Sequence, residues 1–188
     1  MIIALTGTPG TGKTTVCGII SEHSQYRKQF YLVDLNKLIL DEKLYTGKDE
    51  ARDTYVADMD RLEERVKEII NQVPEGMDIL MEGHLAHLLP ADAVIVLRAH
   101  PVALRKRLGK KNYPFKKIQE NADAEALDVI LVEAVERNKN VFEIDTTNMN
   151  PLAVVKSVIS IIESLRQGKT PEEFLPGNID WIEHAGIE

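Results

Sequence analysis

The stretch Gly7-Thr8-Pro9-Gly10-Thr11-Gly12-Lys13-Thr14 constrains this chain more than any other. It is a complete G-x-x-x-x-G-K-[ST] phosphate loop. The apolar run Ile2 to Thr6 before it reads as a strand buried on both faces, and Val16, Ile19 and Ile20 behind it fall at helical spacing. Strand, loop and helix are in register. Glycines let the backbone turn tightly and aim successive N–H groups at phosphate oxygens. The helix N-terminus adds the positive end of its dipole. Gly10, Thr11 and Gly12 are therefore expected to cradle phosphate, Lys13 to meet the β and γ phosphates, and the Thr14 hydroxyl to ligate Mg²⁺. The expected ligand is a nucleoside triphosphate.

Behind that unit the chain alternates. Phe30 to Val33, Met77 to Met81, Ala93 to Leu97 and Val141 to Ile144 read as four further buried strands. Helices are expected from Asp34 (Leu35, Leu38 and Ile39 inward), over Leu62 to Ile70, from Pro101 to about Leu108, and from Leu152 to Leu165. One long helix is expected with Ile118, Ala122, Leu127, Ile130, Leu131 and Ala134 inward. Asp41 to Asp60 is charged and irregular, the pattern of a surface insertion, and the tail from Gln167 carries no assignable pattern. Such alternation predicts an α/β P-loop NTPase fold: a five-stranded parallel sheet, helices on both faces, right-handed crossovers. Ligands then bind beyond the carboxyl ends of the strands, where every candidate group lies.

The 188 residues suit one domain, and 44% hydrophobic content suffices for its core. A net charge of −7 argues against a generic nucleic-acid binder. The lone Cys17 excludes an intramolecular disulfide and fits a reducing compartment. No apolar run reaches membrane-spanning length and no signal peptide precedes the first strand, so a cytoplasmic protein without membrane contact is expected.

Other groups carry chemistry. Glu82 closes the third apolar run, where an acid steadies a metal's water shell, and His84 stands ready to orient a water or approach a phosphoryl group. His84 and His87 lack a third ligand nearby, which argues against zinc; His87 reads as structural. From Arg98 to Lys117 eight basic residues occur without an acid. Such a run points to polyphosphate under a closing lid, to RNA, or to a merely solvated face. Asn121 and Glu125, four apart, are placed to anchor that lid. Asp41 to Glu68 reverses the balance, with ten acids against six bases; Asp53, Asp58, Asp60 and Arg61 there line an acceptor pocket or simply the surface. The loop with Thr147 follows the fifth strand, either along a nucleotide base or as a plain turn.

Taken together, the phosphate loop through Thr15, Leu44-Tyr45-Thr46-Gly47, Asp58-Met59-Asp60-Arg61, Glu82-Gly83-His84, Leu97-Arg98, Arg107-Leu108, Asn112-Tyr113 and Asn121 with Glu125 resemble the adenylate kinase isoenzyme six family. The likeness covers roughly residues 1 to 165, and an archaeal member is expected. It implies a nucleoside monophosphate kinase domain over 1–166, with an acceptor-binding insertion at about 34–60, a lid at about 109–119, and a separate tail over 167–188. It implies Mg²⁺-dependent transfer of the ATP γ-phosphoryl to AMP or another monophosphate, ATPase activity, and a role in small ribosomal subunit (16S rRNA) maturation. The implied partners are small-subunit platform protein eleven and transient rRNA contact, with the chain a monomer or weak oligomer. Thr15, Lys111 and Thr147 would join the donor site; Asp34, Asp58, Arg61 and His84 the acceptor site; Lys13, Glu82, His84, Arg107 and Lys111 the catalytic set; Thr14 and Glu82 the metal.

Three departures stand out. Relatives often carry Asp where Glu82 stands. An arginine of the acceptor helix is replaced by Leu40, and a lid arginine by Lys111, which keeps charge without the bidentate fork. The main alternative is an ATP-driven ribosome assembly factor with secondary kinase turnover; a small-metabolite kinase of the shikimate type is a weaker third.

Overall fold

The computed structural model describes residues 1–50 and 54–186. The five expected strands are present: β1 (Ile2–Thr6), β2 (Phe30–Asp34), β5 (Asp78–Glu82), β6 (Ala93–Arg98) and β7 (Val141–Asp145). They form one parallel sheet in the order β2-β5-β1-β6-β7. Period-two alternation explains why β1 and β6 read as unbroken apolar runs. Ile3 and Leu5 of β1, with Ile95 and Leu97 of β6, pack on one face with α1 (Lys13–Glu22) and α7 (Pro151–Arg166). Ala4, Val94 and Val96 face the other way, toward α2 (Leu35–Asp41), α3 (Met59–Gln72) and α6 (Val129–Arg137). Helix starts are fixed locally: Asp34, Asp58 and Asn150 each accept a backbone N–H from the first turn of the helix they cap. Burial pushes the Cys17 thiol well up, so it packs as an inert apolar group.

Two regions differ from the sequence reading. The charged stretch after α2 contains an antiparallel hairpin, β3 (Tyr45–Asp49) with β4 (Thr54–Ala57), forming its own two-stranded sheet. Its sides are half-buried or exposed, so no burial period marks it. The single long helix is two, α5 (Phe115–Ala126) and α6, following α4 (Pro101–Gly109). The break is Asp128 at φ 55°, a left-handed residue from which the chain turns to lay α6 on the sheet. Asp53, one of the acids considered for an acceptor pocket, lies outside the described residues.

The tail, unassigned from sequence, is folded against the domain. Phe174 of a short turn, Glu172–Phe174, packs on the core. Gly177 and Asn178 donate backbone N–H groups to Glu143 of β7, and a second turn, Ile182–His184, lies by α5. Among the described residues no helix is long and apolar enough to cross a membrane.

Candidate active site

The phosphate loop leaves the carboxyl end of β1, the middle strand. Gly7 sits at φ +134°, and a Cβ there would lie 2.2 Å from the Leu97 carbonyl oxygen, so the loop passes β6 too closely for a side chain. Gly12, at φ 110°, stands just before α1 and frees the helix's first N–H groups toward the cavity. Lys13 is 7% exposed; its Nζ donates to the carbonyls of Gly7 at 2.6 Å and Thr8 at 3.1 Å. Burial lowers its pKa to about 8, against the pull of Glu82 and Glu125. An ammonium held on neutral carbonyls in this way gains from a phosphate.

Glu82 ends β5 opposite Asp34 in register, nearly buried, and accepts the Thr14 hydroxyl at 3.1 Å. Burial first and Asp34 second raise its carboxyl pKa, with the Thr14 hydrogen bond, Lys13 and Lys111 opposing. A carboxylate destabilised in this way, beside an exposed hydroxyl, is an oxygen donor set suited to Mg²⁺ completed by phosphate oxygens and water. Among the described residues no group of three or more His, Cys, Asp or Glu is placed to hold a metal ion. His84 borders the same space. Burial, then the Lys13 charge, lower its pKa to about 4, so it is neutral at pH 7. His87 is structural, with its ring nitrogens 3.0 Å from the Thr6 hydroxyl and 3.0 Å from Glu133.

Two cavities meet at the loop. The larger, about 630 Å³, reaches from Lys13, Thr14 and His84 to Leu40, Tyr55 and Lys117. The smaller, about 360 Å³, runs beneath Arg107 to Met149 and Pro151. Gly10, Gly12, Thr15 and Lys111 border both, while Thr11 faces the smaller. Arg107 turns its guanidinium to the Thr146 carbonyl at 2.7 Å and the Thr147 carbonyl at 3.0 Å, so in this state it braces the loop after β7. Thr147 also accepts the His100 N–H at 2.9 Å through its hydroxyl.

Other candidates lie further out. Asp34 and Asp58 cap α2 and α3, and Arg61 donates to the Lys43 carbonyl at 3.2 Å; none of the three borders the larger cavity. The basic run proves mixed. Arg98 does not face a ligand: it is 1% exposed and pairs with Glu125, Asp128 and Glu143. Lys117 does border a cavity, its Nζ donating to the Thr54 hydroxyl at 3.0 Å beside the larger one. Asn36, Ile39, Tyr55 and Glu120 border that cavity without having been singled out. Only the apolar face of α2 pointed to one of them, Ile39.

A family model described as an AAA domain matches residues 3–128. A protein of Methanosarcina acetivorans named "Putative adenylate kinase" is 45% identical over 188 residues, spanning 97% of this chain and 98% of that protein. The chain belongs to this archaeal adenylate kinase family. A member from Thermococcus onnurineus under the same name is 38% identical over 183 residues, spanning 97% of this chain and 92% of its own. The family fold is that of P-loop kinases. The shikimate kinase of Bacteroides thetaiotaomicron superposes with a TM-score of 0.52 at 18% identity, covering 87% of this chain and 98% of that one. For the thymidylate kinase of Candida albicans the TM-score is 0.51 at 15% identity, covering 89% and 93%.

Proposed function

We propose that the chain is a Mg²⁺-dependent nucleoside monophosphate kinase that transfers the ATP γ-phosphoryl to AMP or another monophosphate. The observation that carries this reading is the pair of cavities joined at one phosphate loop, with Gly10, Gly12, Thr15 and Lys111 common to both. Two substrates entering from opposite sides would meet there. ATP lies in the smaller cavity with its phosphates on the loop, and the acceptor in the larger. In this reading residues 34–60 form the acceptor insertion, 109–119 the lid, and 167–188 an appended tail.

Phosphoryl transfer asks mainly for positioning and charge stabilisation. Lys13 exchanges two neutral carbonyls for phosphate oxygens, whose negative charge offsets the burial that weighs against its ammonium. Thr14 and Glu82 would hold Mg²⁺, which would supply positive charge against the phosphates. His84, neutral, orients the attacking group by hydrogen bonding. Lys111, bordering both cavities, follows the migrating charge. Arg107 reaches the phosphates only after leaving Thr146 and Thr147, a rearrangement that fits lid closure, for which adenylate kinase is a standard example.

A second reading has one observation in its favour. Leu40, half exposed at the larger cavity, supplies no guanidinium for an acceptor phosphate. Water then becomes a competing acceptor, and ATP hydrolysis would drive assembly of the small ribosomal subunit with platform protein eleven and passing rRNA contact. The test measures ADP formed from ATP with and without AMP, and again with the ribosomal protein present. AMP-dependent ADP formation supports the kinase; turnover that ignores AMP and rises with the ribosomal protein supports the assembly factor.

A further inference from the structure

Glu125 borders neither cavity, yet its carboxylate reaches the phosphate loop from α5. It is 3% exposed. One oxygen accepts the Thr8 hydroxyl; the other accepts Arg98 Nε at 2.8 Å and the Ala99 N–H at 3.0 Å. Thr8 is thereby held on two sides, since its carbonyl also accepts Lys13 at 3.1 Å and the Thr11 hydroxyl at 2.9 Å. Arg98 extends the chain of contacts. Its Nη1 donates to Glu143 at 3.1 Å, and the other Glu143 oxygen accepts Gly177 and Asn178 of the tail at 2.9 and 3.0 Å. Trp181 lies over the guanidinium, 5.1 Å from the ring centroid. The buried path thus runs without a gap from the tail to the loop that holds phosphate.

A buried ion network of this kind is seldom the cheapest way to stabilise a core. Here it joins three parts distant in sequence, and one of them, α5, also carries Lys117 and Asn121 at the larger cavity. We propose that Glu125 is a positioning residue for phosphoryl transfer, fixing Thr8 of the phosphate loop, and that the C-terminal tail holds it in register through Glu143 and Arg98. The proposal deepens the kinase reading and, for its rate effects, rests on it.

The test is built around Glu125→Gln and Thr8→Val in the full chain. Glu125→Gln keeps the shape and leaves Glu143 and Asp128 to neutralise Arg98, so the fold is expected to persist. Each single variant should lower kcat at least about tenfold, with the KM for ATP changed by no more than about threefold. If Glu125 acts through Thr8, the double variant is no worse than the worse single one. Thr8→Ser, which keeps the hydroxyl, should recover most of the kcat that Thr8→Val loses. Wild-type kcat in Glu125→Gln, or losses that multiply in the double variant, overturn the proposal; should Glu125→Gln not fold, Thr8→Val against Thr8→Ser decides. Trp181 is the sole tryptophan, so its fluorescence reads the tail end of the path without any turnover. ADP added to wild type should shift its emission, and ADP bound to Thr8→Val, followed by calorimetry, should not. A wild-type protein that forms no ADP from ATP and AMP sinks the kinase reading alone, and the ADP-dependent Trp181 signal then decides the coupling separately. An emission unchanged by bound ADP removes the tail from the proposal.

Discussion

Replacing Lys13 by methionine should make the protein bind nucleotide worse and fold better. The gap between the ordinary 10.5 and about 8 corresponds to about 3 kcal/mol set against the charged form in the nucleotide-free fold. Methionine removes that burden and fills much the same volume. It also removes the hydrogen bonds to the Gly7 and Thr8 carbonyls, a loss of about 1 to 2 kcal/mol. The balance is a gain of about 1 to 2 kcal/mol at pH 7 without nucleotide. Charge-assisted contacts to phosphate contribute about 3 kcal/mol, so ADP affinity should fall roughly a hundredfold and phosphoryl transfer should vanish. Urea titrations with and without ADP measure both effects. The pH dependence supplies an internal check. Because the folded pKa lies below the unfolded one, the unfolded chain binds more protons between pH 8 and 10.5, and wild-type stability should rise across that window. Lys13→Met should lack that rise. A nucleotide-free variant less stable than wild type by 2 kcal/mol or so would refute the reasoning, since the buried ammonium would then be a net support of the fold.

Gly7→Ala should cost at least about 2 kcal/mol in urea unfolding, because a Cβ 2.2 Å from the Leu97 oxygen forces backbone to move; an unchanged midpoint would mean that the loop relaxes freely. Glu82→Gln and His84→Gln should reduce turnover more than ATP affinity, and equal losses in calorimetry and kinetics would make them plain binding residues. Arg107→Ala should lower kcat about tenfold or more while Lys116→Ala leaves it unchanged; if instead Arg107→Ala keeps full turnover and loses RNA affinity across a salt series, the lid role fails. Leu40→Arg should lower the KM for AMP several-fold by supplying a guanidinium at the acceptor end of the larger cavity, and an unchanged KM would place the acceptor phosphate elsewhere.

What was legible in the sequence follows from how each element earns its stability. The phosphate loop could be read because each position answers a local demand: a backbone angle at Gly7 and Gly12, a charge at Lys13, a hydroxyl at Thr14. The sheet could be read because Ala93 to Leu97 is buried on both faces and so is apolar without interruption. The hairpin β3–β4 could not, since neither of its sides is deeply buried and its residues alternate with no period. The break between α5 and α6 falls at Leu127-Asp128, with no Gly or Pro to mark a left-handed turn. Arg98 was misread for a different reason. Its three acids lie 27 to 45 positions away, so a local run of bases hides a neutralised core residue. The same distance hid what Glu125 does: the spacing to Asn121 suggests a lid anchor, whereas its carboxylate accepts the hydroxyl of Thr8, 117 positions off.

The hairpin's isolation has a consequence for how a protein of this kind diversifies. Among the described residues β3 and β4 pair with each other and not with the five-stranded sheet, whereas the phosphate loop hangs from the strand with neighbours on both sides. Substitutions in the hairpin can therefore reshape one wall of the larger cavity without shifting the register that places Lys13. A shikimate kinase and a thymidylate kinase share this fold with the chain at 18% and 15% identity, so the architecture by itself does not fix the substrate.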